Sequence, residues 1–243
     1  MVFRFRVNQW SAWAPGLLDI SAWQGWLKNP LPLTDVDGSP ALAEMPAMMR
    51  RRVEKLGRAA LQSAYRALGA STNCPIVFAS RYGDIARSIE LLRQLAAQET
   101  LSPTGFSMSV HNAIGALFSI ARGDTGQYTA IAAGDETVEA AFTEACGLLA
   151  DGADSVLIVV YDEQLPDIYR RFGDEGSFPR AWACLISQAA RGGVSLQPTP
   201  AIALGTSSQW PPADMKALQF LTSGAAAYHH TCKGRTWQWQ RHD

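Results

Sequence analysis

The chain has 243 residues, of which 47% are hydrophobic and 18% charged, and its formal net charge is −1. This length supports one large α/β domain with a substantial core, and the composition is ordinary for a globular protein. The near-neutral charge gives no global reason to expect nucleic acid or an anionic membrane surface as a partner.

Phe3, Phe5 and Val7 alternate with polar residues and predict a first strand. Residues 14–46 are rich in Pro, Gly and Asp, which predicts an irregular segment with short helical turns. Val53, Leu56, Ala60, Ala64 and Leu68 recur at helical spacing, in a helix opened by Arg50, Arg51 and Arg52. CPIVFAS (74–80) is a short apolar strand. Asp84 is placed to cap a helix running to about Gln98, with Ile85, Ile89, Leu92 and Leu95 on one face. SPTGF breaks the chain, and a small-residue apolar helix is expected from about His111 to Ala121.

GDTG (123–126) turns into the strand YTAIAAG, followed by a helix carrying Val138, Ala141, Phe142, Ala145, Leu148 and Leu149. SVLIVVYDE (155–163) reads as a strand buried on both faces, and AWACLISQA (181–189) as another. In the tail, VSLQPTPAIAL and RTWQWQ read as strands, with Trp237 and Trp239 on one face. Strands alternating with helices predict a layered α/β fold with a mainly parallel sheet. The chain is expected to form a single domain over residues 1–243, with the irregular segment at about 14–46, a core at about 47–190 and a β/helix tail at about 192–243.

Few motifs carry chemistry. HExxH, GxSxG and GxxxxGK[ST] are all absent from the sequence. The adjacent histidines His229 and His230 point different ways and have no evident companion ligands, so no metal site and no cofactor is expected. Cys74, Cys146, Cys184 and Cys232 are scattered with no CxxC pair, which fits buried free thiols in a reducing compartment. The N-terminal MVFRFRVNQW lacks the apolar run of a signal peptide, and no stretch is long enough for a membrane span. A cytoplasmic location is therefore expected. The stretch YTAIAAGDETVEAAF (128–142) resembles a strand turning sharply into a helix, a corner where many enzymes keep a nucleophile. Here it holds Gly134, Asp135, Glu136 and Thr137. A Cys at such a helix N-terminus becomes a reactive thiolate, whereas a carboxylate there is a weak nucleophile and is expected to cap the helix.

Residues Leu101–Glu163, "LSPTGFSMSVHNAIGALFSIARGDTGQYTAIAAGDETVEAAFTEACGLLADGADSVLIVVYDE", resemble without gaps the N-terminal half of the β-ketoacyl-acyl-carrier-protein synthases, condensing enzymes of the thiolase-like fold. The resemblance implies a truncated ketosynthase-like domain in which Asp135 occupies the position of the nucleophilic Cys, leaving no catalytic residue. LAEMPAMMRRRVEKLGRAAL, CPIVFASRYGD, LSPTGFSMSVHNAIGALFSIA and VYDEQLP further resemble the short ketoacyl synthase-like proteins of aryl polyene clusters, which are similar to chain-length factors. That likeness implies a heterodimer with an active ketosynthase and an acyl carrier protein as a further partner. It implies Leu101, Phe106, Met108, His111 and Phe118 as tunnel-lining candidates. Asn112, Gly115, Ala116, Tyr128, Ala130, Ile131, Ala132 and Ala133 are implied at the dimer interface.

Two alternatives stand beside this reading. One is a malonyl-carrier-protein decarboxylase acting in priming, although an Asp135 carboxylate would repel a malonyl carboxylate. The other is a carrier-protein docking module using Arg50, Arg51, Arg52, Lys55 and Arg58.

Overall fold

The computed structural model describes residues 3–33, 38–173, 176–201 and 210–243. Their framework is one eight-stranded sheet in the order β3-β2-β4-β5-β1-β6-β8-β7. The strands are β1 (Phe3–Trp13), β2 (Ile76–Ala79), β3 (Tyr128–Ile131), β4 (Val156–Asp162), β5 (Arg180–Gln188), β6 (Gly193–Pro200), β7 (Ala227–Cys232) and β8 (Arg235–His242). The helices are α1 (Ile20–Lys28), α2 (Ala47–Arg50), α3 (Lys55–Leu68), α4 (Ile85–Ala96), α5 (Pro103–Ser107), α6 (Ala113–Arg122), α7 (Thr137–Ala150) and α8 (Ala213–Thr222).

The layered α/β arrangement holds, but the sheet is not mainly parallel. Only β2 pairs in parallel, with β3 and with β4, and every other pairing is antiparallel. The cause lies in the connections. Helices return the chain between β2, β3 and β4, whereas short links join β5 to β6 and β7 to β8, and short links favour antiparallel neighbours. β1 enters the middle of the sheet antiparallel to both β5 and β6.

Period-two alternation divides the core. Val156, Ile158 and Val160 of β4 face one layer, formed by α7, α1 and α8, together with Phe5, Trp182, Trp237 and Trp239. Leu157, Val159 and Tyr161 face the other, formed by α3 and α6. β4 is buried at every position, as its unbroken apolar run implies. Trp13, Trp23 and Trp26 belong to the core, so these N-terminal tryptophans serve packing.

Two sequence expectations change. The segment 14–46 contains a true helix, α1, capped by Asp19, whose side chain accepts from the Ala22 N–H. The helix expected to open at Arg50 is split into α2 and α3, because Arg50–Val53 form turns whose carbonyls accept from Arg58. The tail, expected to mix strands and helix, has α8 between β6 and β7; β6 ends at Pro200, and the remainder of VSLQPTPAIAL beyond residue 201 lies outside the described residues.

Candidate functional site

The parallel strands β3, β2 and β4 end side by side, and the loops beyond their carboxyl ends form the site. Ligands in open α/β sheets gather at such ends. After β3 the chain turns at Gly134, whose φ of +62° suits glycine, passes through a single 3-10 turn and enters α7. Thr137 fixes this corner: its Oγ1 accepts from the Ala133 N–H at 3.0 Å and donates to the Gly134 carbonyl at 2.7 Å.

Asp135 therefore does not cap α7, as its place in the sequence suggests. Its Oδ1 pairs with the Arg81 guanidinium at 2.8 Å, and the half-exposed carboxylate faces outward from the corner. Arg81 follows β2 directly. Its backbone N–H donates to Asp162 at 3.0 Å, and its guanidinium donates to the Tyr82 hydroxyl at 3.2 Å, which in turn donates to the Phe172 carbonyl at 2.8 Å.

Asp162, the last residue of β4, is fully buried beneath this layer and accepts from Ser80 Oγ at 2.9 Å. Burial raises its pKa to about 6, opposed by the Arg180 charge and by these hydrogen bonds. Arg180 pairs with Asp162 across β4 and β5 and makes a bidentate bond to Asp214 in the first turn of α8, at 2.8 and 2.6 Å. The tail helix is thus bolted to the floor of the site. His111 closes the other side. Its Nε2 lies 2.9 Å from the Ser80 carbonyl, and since a carbonyl only accepts, Nε2 carries the proton.

The β7–β8 hairpin lies over the elbow. Lys233 Nζ sits 2.9 Å from where a Cβ on residue 134 would stand. Arg235 Nε and Trp237 Nε1 reach Glu136 Oε1 at 3.0 and 2.9 Å. His230 Nδ1 and Trp239 Nε1 reach the buried Glu139 at 2.8 and 3.4 Å. Burial alone would lower the His230 pKa, but the hydrogen bond and charge of Glu139, with Asp135 behind them, raise it. The three carboxylates at the start of α7 are held from outside the helix, by Arg81 and by the hairpin.

The structure brings Asp135 and His111 to either side of the Ser80–Arg81 loop. It does not bring the other expected tunnel residues to the elbow. Phe118 lies in the core against Tyr65 and Phe78, at centroid distances of 4.8 and 6.1 Å. Met108 is partly buried against the same cluster, Leu101 is half-buried, and Phe106 is exposed. Of the expected interface residues, Tyr128, Ala130 and Ile131 lie on β3, which is the sheet edge, while Ala132 and Ala133 lie beyond its end. Gly115 faces its own sheet, against Tyr128 and Phe78, and Asn112 sits at the exposed start of α6.

Arg50 and Arg58 hydrogen-bond to backbone carbonyls, which leaves the exposed Arg51 and Arg52 at the surface. Lys55 lines a cleft of about 410 Å³ that also holds Glu54, Asp84, Arg87, Glu90 and Glu163. Burial, then Asp84, raises the Glu163 pKa to about 7.

Sequence reasoning missed Arg81, Asp162, Arg180 and Asp214. A usable signal was present: Arg81 and Asp162 are charged residues standing at or just past the ends of apolar strand runs. Among the described residues no cluster of three metal-ligating side chains occurs, and no helix is long and apolar enough to cross a membrane.

The site thus consists of an edge strand, a glycine corner into a helix and a charged layer at the strand ends. The profile described as beta-ketoacyl synthase, N-terminal domain, matches residues 23–240, and the chain belongs to that family. No curated protein matches it.

The structure of the ketosynthase ApeO in complex with its chain length factor ApeC from Xenorhabdus doucetiae contains a similar chain. The likeness has a TM-score of 0.84 at 26% identity and covers 98% of this chain and 99% of that one. The ishigamide ketosynthase/chain length factor is similar with TM-score 0.64 at 17% identity, over 82% of this chain and 68% of that one. A chain of AntDE:AntF, a type II polyketide acyl carrier protein in complex with its ketosynthase, is similar with TM-score 0.58 at 14% identity, over 83% and 70%. The fold is thiolase-like and ketosynthase-like, of the kind found in ketosynthase and chain length factor complexes.

Proposed function

We propose that this chain is a catalytically silent chain-length factor. It pairs with an active β-ketoacyl-carrier-protein synthase and shapes the acyl tunnel in the synthesis of an aryl polyene or related type II polyketide. The observation that supports this reading is the elbow: at the strand-to-helix corner, where the resemblance puts the nucleophilic Cys, Asp135 is ion-paired to Arg81 beside the tail hairpin. A carboxylate held in this way is a weaker nucleophile toward a thioester than a thiolate at the same corner.

Other exposed features of this half-domain suit a partner. Among the described residues β3 is an edge of the sheet, paired only with β2, and an open edge is a hazard that proteins normally cover. Leu92 and Leu95 of α4, Phe106 of α5 and Ile120 of α6 are 56%, 59%, 63% and 68% exposed. Exposed apolar side chains of this kind are surface that a partner can cover. The near full-length likeness to a chain from a ketosynthase and chain length factor complex supports the choice of partner.

The test is co-expression with the candidate ketosynthase followed by size-exclusion chromatography and a condensation assay. One co-eluting heterodimer that condenses, with no condensation by this chain alone, is the expected result. Two independently eluting species, or condensation by the isolated chain, would overturn the reading.

A further inference from the structure

A second cavity lies far along the sheet from β3, between α1, α8 and the start of β7, with a volume of about 850 Å³. This is within the size range of small-molecule pockets. Three of its walls carry rings, and each ring is held from behind. Trp210 packs against Trp26 and Phe178, at centroid distances of 6.4 and 5.9 Å, and donates its Nε1–H to the Pro30 carbonyl at 3.2 Å. Phe220 and Tyr228 pack on each other at 6.2 Å and on the buried Trp239 at 6.3 and 6.4 Å. Gln219 Nε2 donates to the Leu27 carbonyl at 2.6 Å and ties α8 to α1. The groove is thus pre-formed, which lowers the entropic cost of filling it.

Charge does not choose what fits. Among the described residues lining the groove there is no Asp or Glu to take a cation, Lys28 is exposed at the end of α1, and Lys216 already has an interaction of its own. Most of the uncharged polar side chains are also committed. Besides Gln219, Thr222 Oγ1 donates to the Leu218 carbonyl at 2.8 Å and Ser223 Oγ to the Phe220 carbonyl at 3.2 Å. The Tyr228 hydroxyl differs, because among the described residues it makes no hydrogen bond. Burial, then the charges of Glu139 and Asp214, raise its pKa, so it keeps its proton and is available as a donor. Ring-lined apolar walls with one unpartnered donor are complementary to a planar, uncharged body that carries a hydrogen-bond acceptor. We infer that this groove is a binding site for an uncharged aromatic molecule bearing a carbonyl-type acceptor, its rings against Trp210 and Phe220 and its acceptor at the Tyr228 hydroxyl. The site is separate from the elbow and independent of the proposed ketosynthase partnership.

Equilibrium dialysis of the full chain against 2-acetylnaphthalene, 2-isopropylnaphthalene and 2-naphthoate tests this. The ketone and the hydrocarbon have nearly the same shape, and only the ketone has an acceptor. The ketone is expected to bind about tenfold more tightly than the hydrocarbon, the size of one net hydrogen bond. Its affinity should not change with salt, and 2-naphthoate should bind no more tightly than the ketone. Tyr228→Phe keeps the ring packed on Phe220 and Trp239, so it should bring the ketone down to the affinity of the hydrocarbon and leave the hydrocarbon unchanged. Gly224 lines the groove, and a Cβ there meets nothing within 4 Å, so Gly224→Trp should fold and block both compounds. Equal affinity for ketone and hydrocarbon in the native chain, tighter binding of 2-naphthoate, or unchanged binding by folded Gly224→Trp would overturn the assignment.

Discussion

Asp135 Oδ1 lies 2.8 Å from the Arg81 guanidinium, so the side chain at the elbow is neutralised by the loop after the neighbouring parallel strand. Replacing Asp135 by Cys would put a thiol beside that cation and at the N-terminal end of α7, both of which favour the thiolate. The Asp135→Cys variant should react with iodoacetamide at neutral pH faster than a free cysteine. Adding Arg81→Gln should slow the reaction roughly tenfold, the effect of about one pKa unit. Native Cys232 does not compete, because burial, then the charges of Glu136 and Glu139, push its pKa up to about 12. Condensing activity should stay absent even with the thiol in place, because the hairpin still lies over the corner. Recovery of condensation by the isolated variant would mean that the nucleophile alone was missing.

The hairpin and α7 are joined by a pair that titrates. His230 is held above its ordinary 6.5 by Glu139 and Asp135, against burial and the Lys216 charge. A histidine with a raised folded pKa contributes stability that is full below its unfolded pKa and is lost as pH rises through the folded value. The Tm advantage of the native chain over His230→Asn should therefore be largest in mildly acidic buffer and shrink in mildly alkaline buffer. An advantage that does not vary with pH would mean that packing, not the ion pair, holds the hairpin down.

Much of this arrangement was legible in the sequence, for definable reasons. β4 announced itself because seven successive buried residues leave no polar face, and the elbow because small residues lead into Gly134 and an amphipathic helix. The role of Asp135 was not legible. Capping is a local rule, and the partner that overrode it, Arg81, is 54 residues away across a strand pairing. The direction of β5 was likewise hidden, since an apolar strand has the same pattern in either orientation. The covering of the elbow by the tail rests on Glu136 meeting Arg235 and Trp237, contacts between elements about a hundred residues apart for which no periodicity exists.

Asp162 should govern an acid-side trend in stability. Burial lifts its pKa from 3.8 to about 6, so between those values the folded chain keeps a proton that the unfolded chain releases. Stability contributed by this site therefore falls as pH rises through that window. Asp162→Asn keeps an oxygen to accept from Ser80 and Arg81 but cannot ionise. Its thermal unfolding should show a flatter pH dependence between pH 4 and pH 6 (a window on the order of the shift itself). A slope identical to that of the native chain would assign the trend to other carboxylates.

Gly115 tests how tightly α6 is set on the sheet. A Cβ there would stand 2.8 Å from Tyr128 Cδ2 and 3.0 Å from Phe78 Cδ2. Phe78 is fully buried and cannot swing away, so overpacking should cost about 1–3 kcal/mol. The gain in helix propensity from Gly to Ala is smaller, about 0.8–1 kcal/mol. Gly115→Ala should accordingly lower Tm, and Gly115→Val should lower it further. A Tm that rises in Gly115→Ala would mean that α6 can lift from β2 and β3 without penalty.

The last test addresses the tunnel. Phe106 presents a bare ring on α5, and Leu101 stands half-buried just before that helix. If this face borders the acyl chain held by the ketosynthase partner, side-chain volume there limits how far the chain can grow. Phe106→Ala in the heterodimer should lengthen the carrier-bound product, and Leu101→Phe should shorten it, as read by intact mass spectrometry. Because Phe106 is exposed, its loss should leave the stability of the isolated chain within about 0.5 kcal/mol of native, so a change in product length can be separated from unfolding. Unchanged product from both variants, with the heterodimer intact, would leave this chain a scaffold for its partner and not a gauge of chain length.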